Sequence, residues 1–154
     1  MDYLIIKWVH ILSSTFLFGT GIGSAWYMLS TSLSRDVRAI AVVSRNVVIA
    51  DWVFTATTII IQPATGFYMI HLAGYPLHSS WIMWSIALYV LAGACWLPVV
   101  WIQMRLRDLA AEAVRTNTDL PRQYWRLFKT WVALGVPAFI AFLAIFWLMV
   151  AKPA

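Results

Sequence analysis

Charged residues are scarce in this sequence, and their scarcity excludes most soluble folds. Lys, Arg, Asp and Glu make up 11% of the 154 residues, whereas hydrophobic residues make up 62%. Soluble domains are about half apolar and about a quarter charged. The single cysteine, Cys95, excludes a disulfide framework or a CxxC metal site within one chain. The composition therefore predicts a membrane protein.

Four long apolar segments run through the chain, at about 3–29, 46–70, 81–104 and 128–150. Each reaches the roughly 20 residues that a helix needs to cross the hydrocarbon core of a bilayer. The connections are too short for a separate soluble domain. The sequence therefore predicts an all-α fold, a single transmembrane domain of residues 1–154 that forms an integral membrane four-helix bundle.

The basic residues lie on one side of the predicted membrane. Nine of the eleven Lys and Arg residues lie between segments one and two or between segments three and four, and only Lys7 and Lys152 lie at the opposite ends. The positive-inside rule then places both basic loops in the cytoplasm and both the N and C termini on the outer side. Because this pattern accounts for the net charge of +5, nucleic acid is not an expected partner.

The first segment carries a polar or small face. At about 100° per residue, Lys7, His10, Ser14, Gly21 and Ala25 lie within about 60° of one line along the helix. An ionisable residue inside a membrane helix is costly and marks a candidate functional site. His10 is therefore the leading candidate.

The second segment carries a polar stripe that recurs at helical spacing, formed by Asp51, Thr55, Thr58, Gln62, Thr65 and Gly66. Polar groups in lipid must find partners within the protein, so this stripe is expected to face the His10 face of segment one. Asp51 is expected to pair with Arg45 or another basic neighbour. Pro63 is expected to loosen or kink the helix, because it lacks a backbone N–H.

Glycines in the first segment suggest close contact between helices. Gly19 and Gly23 have the spacing at which small residues let membrane helices approach one another. A nucleotide-binding glycine loop is excluded, since no strand precedes them. Close helix packing is the prediction.

Three kinds of chemistry use an intramembrane histidine beside a lysine. In haem ligation, His10 binds iron axially, Lys7 pairs with a propionate one turn away, and His71 supplies a second ligand from the same leaflet. In a proton relay, His10, Gln62 and the threonines act as stepping stones. Binding of another metal is disfavoured, because no carboxylate lies at the depth of His10.

A purely structural reading is open for each candidate. His10 would form a hydrogen bond with Ser14 or with a polar group on helix two, Lys7 would extend to the lipid headgroups, and His71 would be an interfacial loop residue.

The Lys7–Ile11 segment, Lys-Trp-Val-His-Ile, resembles the start of the HemJ-type protoporphyrinogen oxidases, small bacterial membrane proteins of four helices. The resemblance continues through a Gly-rich end of helix one, a Pro in helix two, the Gly74-Tyr75 turn and Trp81 at the start of helix three. The chain is more similar still to a family of predicted bacterial integral membrane proteins of unknown function. That family shares the Phe-Gly-Thr-Gly run at 18–21 and the Trp-Leu-Pro-Val-Val run at 96–100.

The HemJ resemblance implies haem b at His10 and a redox role in the membrane. HemJ-type proteins have an essential Lys shortly after the helix-three Trp, but residues 81–85 here contain none. The resemblance therefore implies haem binding rather than protoporphyrinogen oxidation, and whether the protein is an enzyme stays open.

We expect a multi-pass protein of the bacterial inner membrane that binds haem b in the outer leaflet through His10, with Lys7, His71 and Ser14 in the same site and His10 and His71 as iron ligands. A quinone or porphyrin is an expected ligand, and a homo-oligomer or partner subunit is expected in the bilayer. The alternative is a haem-free transporter subunit or assembly factor that uses the polar faces of helices one and two.

Overall fold

Five α-helices and one π-helical turn make up most of the computed structural model, which describes residues 1–153. The helices are α1 (Asp2–Ser34), α2 (Val37–Ala50), α3 (Ala56–Ala73), α4 (Ser80–Thr116) and α5 (Arg122–Ala151), and the π-turn (Asp51–Thr55) joins α2 to α3. Counting Val37–Ala73 as one span, four helices are long and apolar enough to cross a membrane. The predicted all-α fold with four spans is confirmed.

The second span begins earlier than its hydropathy indicates. Hydropathy places its start near residue 46, but the helix begins at Val37, directly after Asp36. The Asp36 carboxylate accepts hydrogen bonds from the backbone N–H groups of Arg38 and Ala39, at 3.0 and 3.1 Å, which is a standard helix N-cap. Residues 35–36 are therefore the whole connection between the first two spans.

The third span, α4, extends beyond its apolar part. It continues through the charged residues to Thr116, and Asn117 ends it in a left-handed conformation with φ of 54°. Pro121 then precedes the first residue of α5, Arg122. The two connections, at 35–36 and 117–121, lie at the same end of the bundle, which we call the basic end. The opposite end, with Met1, Gly74 and Lys152, is the terminal end.

The hydrophobic core lies at the basic end, where α1, α2, α4 and α5 meet. The Tyr124 ring is fully buried, and its hydroxyl group shares a hydrogen bond of 2.8 Å with Ser32 on α1. The Phe128 ring stacks on Tyr124 and Trp131. The core consists of Met28, Ile40, Val47, Ile102, Leu106, Ala110, Tyr124, Phe128 and Trp131.

The helices separate toward the terminal end. There α1 packs on α3 and α4 packs on α5, but the backbones of these two pairs scarcely touch. The Lys152 ammonium lies 5.2 Å from the centre of the Tyr75 ring and 5.7 Å from that of Trp81, which links the last residues of α5 to the α3–α4 loop. A space is left between the two pairs in the middle of the bundle.

One side chain replaces the hydrogen bond that Pro63 removes from α3. Pro63 cannot donate to the carbonyl of Ile59, four residues earlier. The Tyr89 hydroxyl on α4 donates to that carbonyl at 2.6 Å. The loosening expected at Pro63 is thus offset by a bond between α3 and α4.

The prediction of close helix packing at Gly19 and Gly23 is wrong within one chain. A Cβ at either position would have no atom of another helix within 4 Å in the described residues. The separation of the two helix pairs is the physical reason, because no neighbouring backbone approaches this part of α1.

Candidate functional site

The polar faces of α1 and α3 meet at His10. Its Nδ1 lies 2.8 Å from the Thr65 hydroxyl, and its Nε2 lies 3.0 Å from the Gln62 side-chain nitrogen. A Cβ on Gly66 would lie only 3.3 Å from His10 Cε1, so the glycine lets the ring lie against α3. The predicted contact between the His10 face and this part of the helix-two stripe is confirmed.

The hydrogen bonds of Thr65 determine the tautomer of His10. The Thr65 hydroxyl donates to the Ile61 carbonyl at 2.7 Å, so toward the ring it acts as the acceptor of an Nδ1–H bond. The Nε2 lone pair then accepts the amide N–H of Gln62. Both ring nitrogens of His10 are therefore engaged by α3.

This arrangement does not fit a haem at His10, since an axial ligand needs a free nitrogen lone pair. Lys7 and His71 are exposed, and the Ser14 hydroxyl donates to the Ile11 carbonyl of its own helix at 2.8 Å. Over residues 1–153, no cluster of three or more His, Cys, Asp or Glu is suited to hold a metal ion. Of the four predicted haem-site residues, only His10 bonds to the helix-two stripe, and haem binding stays a prediction.

A second site lies deeper in the bundle, in the space between the helix pairs. This central cavity has a volume of about 380 Å³, within the range of pockets that bind small molecules. Residues of α1, the π-turn, α3, α4 and α5 line it, and Leu29, Val99 and Trp131 connect its floor to the core at the basic end. His10, Lys7, Ser14 and His71 do not belong to its lining.

Three buried polar side chains meet at the cavity wall near its floor. Asp51, at the start of the π-turn, is only 5% exposed and accepts a hydrogen bond of 3.0 Å from Thr55 at the end of that turn. The Gln103 side chain of α4 lies beside the same carboxyl group. π-turns are rare and frequently mark functional sites.

The expected ion pair of Asp51 with a basic neighbour is wrong: within residues 1–153, Asp51 makes no salt bridge. Arg45 is exposed and lies six residues earlier, so at about 100° per residue it points about 120° away from Asp51. The carboxyl group therefore lies in the membrane part of the bundle without a cationic partner.

Two buried polar atoms of the cavity lining also lack partners in the part of the chain that the structure describes. They are the side-chain oxygen of Gln103 and the indole nitrogen of Trp96. A buried donor or acceptor without a partner costs about 1–3 kcal/mol. One acceptor and one donor are thus left unpaired beside the cavity, although neither atom exposes surface to it.

Glycines keep the cavity open. Gly21, Gly93 and Gly135 line it from three different helices, and a Cβ at any of them would meet no other atom of the described chain within 4 Å. The missing side chains leave volume that larger residues would fill. The sequence shows these glycines, but only the positions of the helices show that they face one cavity.

The helix-two stripe is divided between the two sites. Gln62, Thr65 and Gly66 contact His10, whereas Asp51 and Thr55 line the cavity. The sequence signal for the second site was Asp51 itself, an ionisable residue within a membrane span. The sequence predicts an ion pair for this residue, because its charge is visible in the sequence and its distance from Arg45 is not.

A family model described as predicted integral membrane protein (DUF2269) matches residues 4–153. No curated protein and no solved structure matches the chain.

Proposed function

Since the chain belongs to the DUF2269 family of predicted integral membrane proteins, we propose that it acts within the bilayer, as a haem-free protein that binds a lipid-soluble small molecule in the central cavity. Such binding suits a subunit that carries or presents the molecule to a partner. This proposal follows the alternative from the sequence analysis, a haem-free transporter subunit or assembly factor. It differs in that the proposed site lies at Asp51 and not at His10.

The observation that carries the proposal is Asp51. It is a buried carboxyl group without a cationic partner in the described residues, on the wall of a cavity whose lining also includes Gln103 and Trp96. Ionisable residues inside membrane spans mark the paths of substrates or ions. A bound polar head near Asp51 would supply partners that the protein itself does not.

The ligand class follows from the walls of the cavity. They are almost entirely apolar, with aromatic side chains such as Trp26, Trp131 and Phe142, and the one charged side chain in the described lining is Asp51, near the floor. A molecule with a small polar head and a larger apolar body matches this distribution. The quinone expected from the sequence belongs to this class, because its carbonyl oxygens accept hydrogen bonds.

The ligand can be identified by purification in mild detergent, organic extraction and mass spectrometry. We expect one lipid-soluble molecule to accompany the wild-type protein and to be lost from Gly135→Leu, in which the new side chain enters the cavity. Gly19→Leu is the matched control, because Gly19 also has free space around it but lies outside the cavity lining. Identical extracts from all three proteins would refute ligand binding in the cavity.

Haem-linked redox chemistry is the competing function. It requires the Gln62 amide to move away from His10 Nε2. The lone pair of that nitrogen would then be free to bind haem iron. We expect protein from haem-replete cells to show no Soret band. A band that disappears in His10→Ala would restore the haem function and refute the haem-free assignment.

The orientation is part of the proposal, because it decides which leaflet holds the polar floor. Nine basic residues lie toward the basic end and two toward the terminal end, so we place the basic end in the cytoplasm of a bacterial inner membrane. In a Cys95→Ser background, a cysteine introduced at Asp119 should react with an impermeant maleimide only after the cells are opened. Labelling of intact cells would reverse the orientation.

A partner copy or subunit is also proposed. Four spans are few for a monomeric carrier, and α1 exposes large apolar residues such as Trp8 and Trp26. Cross-linking in native membranes should detect a homo-oligomer or a second membrane protein. A chain that remains monomeric in lipid would contradict this part of the proposal.

A further inference from the structure

We propose that the ligand of the central cavity is an alkylammonium amphiphile, an apolar chain that ends in a protonated amine. The inference rests on the proposed function and specifies its ligand class. It follows from the charges, the hydrogen-bonding atoms and the opening of the cavity.

The charge of the cavity lining is one-sided. Among residues 1–153, the lining contains the carboxyl group of Asp51 but no Lys, Arg or His. Thr55 hydrogen-bonds to this carboxyl group, but a buried carboxylate without a cationic partner is still costly, and a cation beside it offsets that cost. A neutral head group cannot supply this term, and an anionic head group would be repelled.

The free polar atoms near the floor favour a donor. The Asp51 carboxylate and the Gln103 side-chain oxygen are both acceptors, and Gln103 has no other partner for that atom within the described chain. A protonated primary amine carries three N–H donors and no acceptor. It can therefore donate to the Asp51 carboxylate while it acts as the cationic partner that this group lacks.

Aromatic rings form part of the floor and walls of the cavity. Trp96 precedes Gln103 by seven residues, so its indole lies on the same face of α4 at a distance along the axis of about 10 Å. Trp131 forms part of the floor, and Tyr89 lies further along α4. These rings offer apolar contact surface to the ligand.

The cavity opens sideways to the bilayer between α1 and α5. Ile22 and Trp26 of α1 and Val136 of α5 line the cavity, yet 45–65% of their surface is exposed. Phe18 bridges the two helices on the terminal side, where it stacks on Phe139 and meets the edge of Phe146. An alkyl chain can thus extend from the polar floor into the lipid below this aromatic bridge.

The test uses the full protein in lipid nanodiscs and two radiolabelled probes of equal chain length, dodecylammonium and dodecanol. Specific binding is the excess over protein-free nanodiscs. We expect the wild-type protein to bind the ammonium about tenfold more tightly or better, because hydrogen bonds to charged groups are the strong ones. Asp51→Asn keeps an acceptor for Thr55 but should lose this preference, and Asp119→Asn, in the connection at the basic end, should retain it.

The outcomes separate this inference from the proposed function. If wild-type protein binds both probes equally, or if Asp51→Asn keeps the preference, the ammonium assignment is wrong. Dodecanol binding that Gly135→Leu abolishes and Gly19→Leu preserves would then still support an amphiphile in the cavity. If neither probe binds specifically, the ammonium assignment is also wrong, and the comparison of extracts from the wild type, Gly135→Leu and Gly19→Leu decides the proposed function. Retained dodecanol binding by Asp51→Asn also shows that this variant is folded.

Discussion

The hydrogen bond from Tyr89 to the Ile59 carbonyl gives a prediction about how the second and third spans are held together. Replacing Tyr89 with Phe removes one hydroxyl group and leaves the ring in place. The carbonyl then loses its donor, because Pro63 at the position four residues later has no N–H. In the membrane part of the bundle, water is not available as a substitute.

The expected cost follows from the loss of this one donor. A buried acceptor left without a partner costs about 1–3 kcal/mol, whereas hydrogen bonds between membrane helices average about 0.6 kcal/mol in double-mutant cycles. The bond is short, at 2.6 Å, and its acceptor has no helical donor. We therefore expect Tyr89→Phe to lower the free energy of unfolding by about 1–2 kcal/mol, which is more than the average hydrogen bond between membrane helices contributes.

A second substitution tests the cause. In Pro63→Ala the backbone N–H returns and can donate to the Ile59 carbonyl, so the Tyr89 hydroxyl becomes redundant. In that background Tyr89→Phe should cost about 0.5 kcal/mol or less, which gives a coupling energy of about 1 kcal/mol between the two sites. Tyr68→Phe is the matched control, since Tyr68 is 45% exposed on α3 and should change stability by less than about 0.5 kcal/mol.

The measurement is reversible unfolding in mixed micelles with increasing dodecyl sulfate, followed by far-ultraviolet circular dichroism. All four combinations of residues 63 and 89 are compared under one condition. An equal cost of Tyr89→Phe with and without Pro63 would refute the reasoning, since the hydroxyl would then act through some other contact.

Three further stability changes can be measured in the same assay. Gln62→Leu removes the donor to His10 Nε2 and should cost about 1 kcal/mol; a variant as stable as the wild type would mean that the ring is not held by this amide. Tyr124→Phe removes the buried bond to Ser32 and should cost about 1–2 kcal/mol, and no loss would show that the hydroxyl is dispensable in the core. Asp36→Ala removes the N-cap of α2 and should cost about 1 kcal/mol, whereas an unchanged midpoint would show that the cap contributes nothing.

The spans were predictable because the bilayer constrains length and composition strongly. Hydropathy marks the part of a helix that faces lipid and not the full helix, so it missed the start of the second span at Val37. Asp36 is a typical N-cap residue. However, the arginines around it lower the hydropathy of residues 35–45, so hydropathy predicts a loop over this stretch. The pattern of basic residues also predicts the orientation, which the fold alone does not test.

The meeting of His10 with α3 was predictable because polar groups in lipid must pair within the protein. The cavity was not predictable from its glycines. A glycine in a membrane helix has the same sequence signal whether a neighbouring helix packs closely against it or lies at a distance. Helical periodicity assigned Asp51 to the same face as Gln62 but could not show that a π-turn lies between them. Helical periodicity shows which side chains share a face of one helix. It does not show which groups they contact, because contacts depend on the distances between helices.

The location of the core has a consequence for how this protein can diverge. The hydrophobic core lies at the basic end, whereas most of the cavity lies between helix pairs whose backbones scarcely touch. A change at Ile22, Gly93 or Val136 therefore alters the shape of the cavity with little loss of packing. Descendants of this chain can acquire a new ligand preference by single substitutions while the fold is inherited unchanged.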